Sequence, residues 1–258
     1  MHFEKKYFQE HGAQLRYFQA GAGRPILFLH GGGAKAMSYK KILKLLAKNY
    51  QVIAPDLPCF GKSSCPDSFS TYSDILVSFV ASLPFEKIAV VGHSMGGAVG
   101  LQLAASSKKI SHLVIVDSAG VALKISRGEF LYNFFIKKTF RDLWDYKNPR
   151  LFFRGVRTFF ENVFSRLPEF ETAASIVEKF LTSNFQHFDK ISAETLIIWG
   201  EQDEIFPVEF ARTMQRNIER SELQLVDGNH DWCAFRVKRF VRIVEGWIKM
   251  HDVNLNNL

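Results

Sequence analysis

Apolar and polar positions alternate with a period of two over residues 3–9 and again over 14–20, with His11-Gly12 between them. That spacing predicts two antiparallel strands joined by a tight turn. From residue 25 the pattern changes. Pro25, Ile26, Leu27, Phe28 and Leu29 form an unbroken apolar run, as expected of a strand buried on both faces of a parallel sheet. Residues 37–47 then show helical spacing, with Leu43, Leu46 and Ala47 on one face. Beyond them, strand-like runs at 51–55, 87–91, 112–116, 195–199 and 222–226 alternate with helical stretches at 72–83, 95–105, 208–218 and 235–250.

Such alternation predicts an α/β fold, a mainly parallel sheet with helices on both faces. Binding sites in sheets of this kind lie at the carboxyl ends of the strands. The alternation breaks between residues 119 and 190, a stretch that holds more than half of the 25 Phe, among them Phe134, Phe135, Phe152, Phe153, Phe159 and Phe160. It reads as a helical cap, or lid, inserted into a core made of residues 1–118 and 191–258.

The 258 residues, 47% hydrophobic and 23% charged, suffice for an ordinary globular core. Residues 1–10 lack the apolar centre of a signal peptide, and the longest apolar runs are strand-sized, far short of a membrane span. Cys59, Cys65 and Cys233 have no metal-ligand spacing and read as free thiols in a reducing cytoplasm; a Cys59–Cys65 disulfide is conceivable but not indicated. A cytoplasmic location is the expectation. The net charge of +7 bears on solubility and non-specific attraction, and no nucleic-acid-binding motif accompanies it.

Candidate chemistry begins at Gly92-His93-Ser94-Met95-Gly96, a G-x-S-x-G match. The bare pattern is only moderately specific. Its setting sharpens it, because an apolar strand leads in and a helix rich in small residues (Gly97, Ala98, Gly100) leads out. A sharp strand–turn–helix would expose the serine and bring backbones together, so the flanking positions must lack bulk. The bland alternative is a glycine-rich helix start, of the kind that binds phosphate. A second glycine-rich segment, His30-Gly31-Gly32-Gly33, follows the strand at 25–29 and can offer backbone N–H groups to a developing oxyanion. The expected donors are the N–H groups of Gly32 and Met95. His30 is expected to be structural, bonded to loop backbone.

A nucleophilic serine needs a base. Of eight histidines, His230 sits in a loop just after the last predicted strand, where it would open at the carboxyl edge of the sheet. His93 is expected to point into the core, and His2, His11 and His251 to lie on the surface; His112 and His187 lack a loop context. Asp203, after the strand at 195–199, is the expected carboxylate partner of the base. Asp117 is a rival at the end of the preceding strand. Asp56 reads as a loop-fixing residue, and Glu201 and Glu204 as solvent-facing.

The order Ser94, Asp203, His230 resembles that of the α/β-hydrolase superfamily. The resemblance also rests on Leu29-His30-Gly31-Gly32-Gly33, Asp56-Leu57-Pro58-Cys59-Phe60-Gly61-Lys62-Ser63, residues 92–97, residues 200–207 and Gly228-Asn229-His230, and it covers nearly the whole chain. One departure stands out: members often carry Gly where Cys59 or its neighbour stands. The resemblance implies a mostly parallel eight-stranded sheet with an inserted helical cap. It also implies acyl transfer through a serine triad, with no metal or organic cofactor required. The cap is basic, and Arg150, Arg154 and Arg157 are candidate contacts for an anionic part of a small ester or acyl substrate, or for an acidic acyl carrier protein. Carbon–carbon bond hydrolases of meta-cleavage type share His-Gly-Gly-Gly and Gly-His-Ser-Met-Gly-Gly and are the close alternative. A non-enzymatic ligand receptor on the same fold is the third.

Overall fold

Alternate side chains of Pro25–Leu29 pass to opposite faces of the sheet, and both faces are covered. Ile26 and Phe28 pack with Val52, Ala54 and Val91 on one side; Leu27 and Leu29 pack with Ile53, Val90 and Ile115 on the other. This double burial is the reason for the unbroken apolar run. Each buried aliphatic or aromatic side chain of this kind stabilises the fold by about 1.5–3 kcal/mol relative to exposure.

The computed structural model of the chain describes residues 1–10, 12–124, 153, 157 and 169–255. Its strands are β1 (Glu4–Glu10), β2 (Ala13–Ala20), β3 (Pro25–Leu29), β4 (Gln51–Pro55), β5 (Ile88–His93), β6 (Ile110–Val116), β7 (Glu194–Gly200) and β8 (Ser221–Val226). They form one eight-stranded sheet in the order β1-β2-β4-β3-β5-β6-β7-β8. The β1–β2 and β2–β4 pairs are antiparallel, and every later pair is parallel. Strand order reverses between β3 and β5. The glycine-rich loop after β3 and the turn after β5 therefore flank the crevice where such sheets place their ligands.

The α-helices among the described residues are α1 (Lys40–Leu46), α2 (Phe69–Ser82), α3 (Met95–Ser106), α4 (Phe170–Thr182), α5 (Val208–Asn217), α6 (Trp232–Phe235) and α7 (Val237–Leu255). Most boundaries lie within a residue or two of those read from spacing, and three differences are larger. The stretch at 37–47 divides into a 3-10 turn, Ala36–Tyr39, followed by α1. The start of α2 moves back to Phe69 because the Ser68 hydroxyl accepts from the Thr71 amide at 3.2 Å and caps it. The last helical stretch is two helices, α6 and α7.

Most of the expected cap, with Phe134, Phe135, Phe152, Phe159, Phe160, Arg150 and Arg154, lies outside the described residues, as does His11. Phe153 and Arg157 are exposed. The two ends of the 119–190 segment meet: the Leu123 amide donates to the Leu181 carbonyl at 2.9 Å and the Phe185 amide to the Gly120 carbonyl at 2.8 Å. Among the described residues no helix is long and apolar enough to cross a membrane.

The cysteines correct an expectation. Cys59 and Cys65 are joined in a disulfide, and only Cys233, buried, is a free thiol. Spacing could not reveal this, because the loop after β4 folds back on itself: the Cys59 amide donates to the Ser64 carbonyl and the Phe60 amide to the Leu57 carbonyl. Cys59 has φ of 68°, the left-handed conformation that glycine adopts at no steric cost. Disulfides persist in oxidising surroundings, so a cytoplasmic location no longer follows from the cysteines.

Candidate active site

Ser94 stands at the junction of β5 and α3 with φ 55° and ψ −122°, a region that costs a non-glycine residue strain. The turn is tight because backbones nearly touch. A Cβ on Gly92 would lie 2.3 Å from the Gly96 carbonyl oxygen, and one on Gly96 would lie 2.3 Å from that of Leu29. Only glycine fits at either place. The Ser94 amide and carbonyl are anchored by Val116 and Ala119, at 2.9 and 3.2 Å.

Three distant segments bring the expected side chains together. His230 Nε2 lies 3.1 Å from Ser94 Oγ, and His230 Nδ1 lies 2.9 Å from Asp203 Oδ2. A carboxylate accepts, so Nδ1 carries the proton and Nε2 presents its lone pair to the serine hydroxyl. Asp203 is itself fixed: its Oδ1 accepts from the Ile205 and Phe206 amides at 2.7 and 2.9 Å. The Phe206 ring packs edge-on with the imidazole, their centroids 5.4 Å apart. Burial alone would pull the His230 imidazole down, but the Asp203 carboxylate and its hydrogen bond, with Asp231 and Asp117 behind, push it up to about 9.

The loop after β3 lies directly against this turn. A Cβ on Gly31 would come 3.3 Å from that of Ser94, and one on Gly32 would meet Met95 at 3.7 Å. Met95 opens α3, so its N–H belongs to the first turn, which has no intrahelical acceptor. Gly32 and Met95 are thus neighbours beside the serine. His30 is structural, as expected: its Nδ1 bonds the Gly31 carbonyl at 2.8 Å and its Nε2 accepts from the Leu57 amide at 2.9 Å.

Asp117 does not approach the imidazole as a partner. Its two oxygens are occupied by the Gly200 amide at 2.7 Å and the Trp232 indole N–H at 2.8 Å, which ties together the loops that carry Asp203 and His230. Burial first, then the neighbouring Asp203 charge, hold its carboxyl well above the usual carboxylate range. Removing it would orphan two buried donors, each costing about 1–3 kcal/mol. Asp117→Ala is therefore expected to destabilise the fold by about 3 kcal/mol, read from urea unfolding; a change under about 0.5 kcal/mol would contradict this role.

Other expectations divide. Asp56 does fix a loop, accepting from Arg16, the Ala36 amide at 2.9 Å and the Lys62 amide at 3.2 Å. His2 is exposed, His93 is buried and Glu201 is exposed. Glu204, expected to face solvent, is instead partly buried, and its Oε2 accepts from the His230 amide at 3.4 Å. His251, also expected on the surface, is largely covered: it bonds the Trp247 carbonyl at 3.0 Å and pairs with Glu222 at 2.8 Å. His187 lies in the exposed connection before β7, contrary to its reading, and His112 is buried in β6. Tyr39 escaped the sequence reading altogether, since a lone tyrosine in a short turn carries no signal.

Residues 26–243 match the alpha/beta hydrolase family. The chain belongs to that family. It is 30% identical over 228 residues, 81% of its length and 78% of the relative's, to the 2-hydroxy-6-oxo-6-(2'-aminophenyl)hexa-2,4-dienoic acid hydrolase of Metapseudomonas resinovorans. It is 31% identical to Lipase 1 of Psychrobacter immobilis, across 84% of this chain and 74% of that one. A solved serine hydrolase involved in carbazole degradation superposes with a TM-score of 0.80 at 22% identity, covering 96% of this chain and 100% of that one. The relatives thus include one named a lipase and one named a dienoic acid hydrolase.

Proposed function

We propose that this alpha/beta hydrolase cleaves a carboxylic ester by acyl transfer through Ser94, His230 and Asp203. The observation that carries the reading is the continuous path Ser94 Oγ, His230 Nε2, His230 Nδ1, Asp203 Oδ2, with steps of 3.1 and 2.9 Å across the two hydrogen bonds. Ser94 Oγ attacks the substrate carbonyl carbon while its proton passes to His230 Nε2. The oxyanion sits between the N–H groups of Gly32 and Met95, and losing one such donor costs about 3 kcal/mol of barrier. Collapse expels the alcohol, which takes the proton from His230. Water then gives a proton to the same nitrogen, attacks the acyl-enzyme, and releases the acid as Ser94 regains its hydrogen. Asp203 holds the imidazole and stabilises the imidazolium without itself being protonated.

A second reading is carbon–carbon bond cleavage of a vinylogous diketo acid, and the similarity to the Metapseudomonas hydrolase, named for a 2-hydroxy-6-oxo-dienoic acid, favours it. A panel separates the readings: neutral esters, carboxylate-terminated esters and a vinylogous diketo acid, each with wild type and Ser94→Ala. Ester turnover well above diketo-acid turnover supports the proposal, and the reverse order replaces it with the second reading. A preference for the carboxylate-terminated esters would extend it to anionic substrates, for which Arg150, Arg154 and Arg157 are the candidate contacts; an acidic acyl carrier would be one source of them. Failure of every substrate, together with no labelling by a fluorophosphonate, would favour a ligand receptor.

The pH dependence follows from His230. The base works only when neutral, so activity rises as the imidazolium loses its proton. With the imidazole pushed up to about 9 from 6.5, the acid limb of kcat/KM is expected on the alkaline side of neutrality. A midpoint at or below 6.5 would refute it.

A further inference from the structure

Two buried side chains link parts of the site that the triad leaves unconnected. Tyr39, in the turn after the loop of Gly31 and Gly32, places its hydroxyl 2.7 Å from His93 Nδ1. The same hydroxyl oxygen accepts from the Gly31 amide at 3.3 Å. His93, next to the nucleophile in sequence, has Nε2 at 2.9 Å from the backbone carbonyl of His230. A carbonyl only accepts, so Nε2 is the protonated nitrogen and Nδ1 accepts from the tyrosine. Every hydrogen then has one place: Gly31 N–H to Tyr39 Oη, Tyr39 O–H to His93 Nδ1, His93 Nε2–H to His230 C=O. Packing around the chain is close, for a Cβ on Gly31 would meet Tyr39 Oη and His93 Nδ1, both at 3.2 Å.

We propose that Tyr39 and His93 are positioning residues that brace the loop of Gly32 against the backbone of the base His230. The inference rests on the triad reading above. The triad's own bonds hold the imidazole ring at its two nitrogens, but nothing in them sets the main chain of residue 230 relative to the glycine loop. The brace does so through side chains rooted on β5 and on the turn that follows the glycine loop. It also keeps an uncharged ring beside the base. The His93 and His230 rings are 5.0 Å apart, and a charged His93 would repel the imidazolium that forms when Ser94 gives up its proton. Burial, and then His230 itself, lower His93 to about 4, which agrees with the tautomer that the hydrogen bonds require. Asp231, 3.9 Å from His93 Nε2, is the nearest carboxylate.

The test compares Tyr39→Phe, His93→Ala and His93→Gln with wild type in three measurements: ester kcat and KM, the rate of fluorophosphonate labelling at Ser94, and thermal melting. Phe retains the ring contact that Tyr39 makes with Phe28 at 5.1 Å and removes only the hydroxyl. Displacements of an ångström or less are enough to slow acyl transfer markedly. Tyr39→Phe is expected to lower kcat and the labelling rate together by about tenfold, with KM changed less than twofold and the melting point lowered by only about a few degrees, since the Gly31 amide and His93 Nδ1 lose their partner while the protein stays folded. His93→Ala should lose more, and His93→Gln, whose amide N–H can reach the His230 carbonyl, should recover part of the loss. Should His93→Ala fail to fold, Tyr39→Phe and His93→Gln decide the matter. Wild-type labelling and turnover in Tyr39→Phe, a loss confined to KM, or a folded His93→Gln no better than His93→Ala would overturn the brace while the hydrolase reading stands. Absence of labelling in the wild type would instead remove the hydrolase reading.

Discussion

Ser94→Ala is expected to reduce ester turnover by about 10⁶ while the protein stays folded. The magnitude follows from how the three residues act as a unit: without Oγ there is no nucleophile, and what remains is substrate binding beside the oxyanion donors. The fold should survive because the elbow is shaped by backbone bonds that alanine keeps. Val116 still accepts from the amide of residue 94, and Ala119 still donates to its carbonyl. The check is single-turnover acid release alongside near-ultraviolet circular dichroism. Residual activity above about one per cent of wild type, with folding intact, would mean that another group carries the reaction.

Asp203→Asn is expected to cost about 10⁴ in kcat, and the structure gives a reason specific to this site. Asp203 Oδ1 accepts from two backbone amides, those of Ile205 and Phe206. An asparagine must keep its carbonyl oxygen there, which turns its NH₂ group toward His230. Nδ1 is then forced to accept, the proton moves to Nε2, and the lone pair that should receive the Ser94 proton is gone. The charge that raises His230 disappears as well, so the acid limb of whatever activity remains should move to lower pH. A variant within tenfold of wild type would show that Asp203 does not set the tautomer. Asp117 cannot substitute for it, because both of its oxygens are already held by Gly200 and Trp232.

These expectations began as a reading of spacing, and its success was uneven for physical reasons. Doubly buried strands such as Pro25–Leu29 and, after its first residue, Gln51–Pro55 were legible, since two covered faces demand an apolar side chain at every buried position. Helix starts were less so. The cap at Ser68 depends on one hydroxyl, and the break between α6 and α7 leaves no mark in the apolar periodicity. The elbow was legible because its steric demand falls on glycines close in sequence. Glu204 and His251 were misplaced because exposure is decided by what other segments lay over a residue.

By itself the sequence determined the fold class, the chain order of the site residues and the identity of the elbow, all of which depend on periodicity or on contacts between near neighbours. Tertiary structure alone decided which aspartate meets His230, that Cys59 and Cys65 join, and that Tyr39 and His93 connect two loops. The disulfide hangs on how one loop folds back, and the other two outcomes on hydrogen bonds between residues as much as 137 apart in the chain, as between His93 and His230. Such bonds carry no periodic signature, and their partners are chosen by where the sheet delivers each loop.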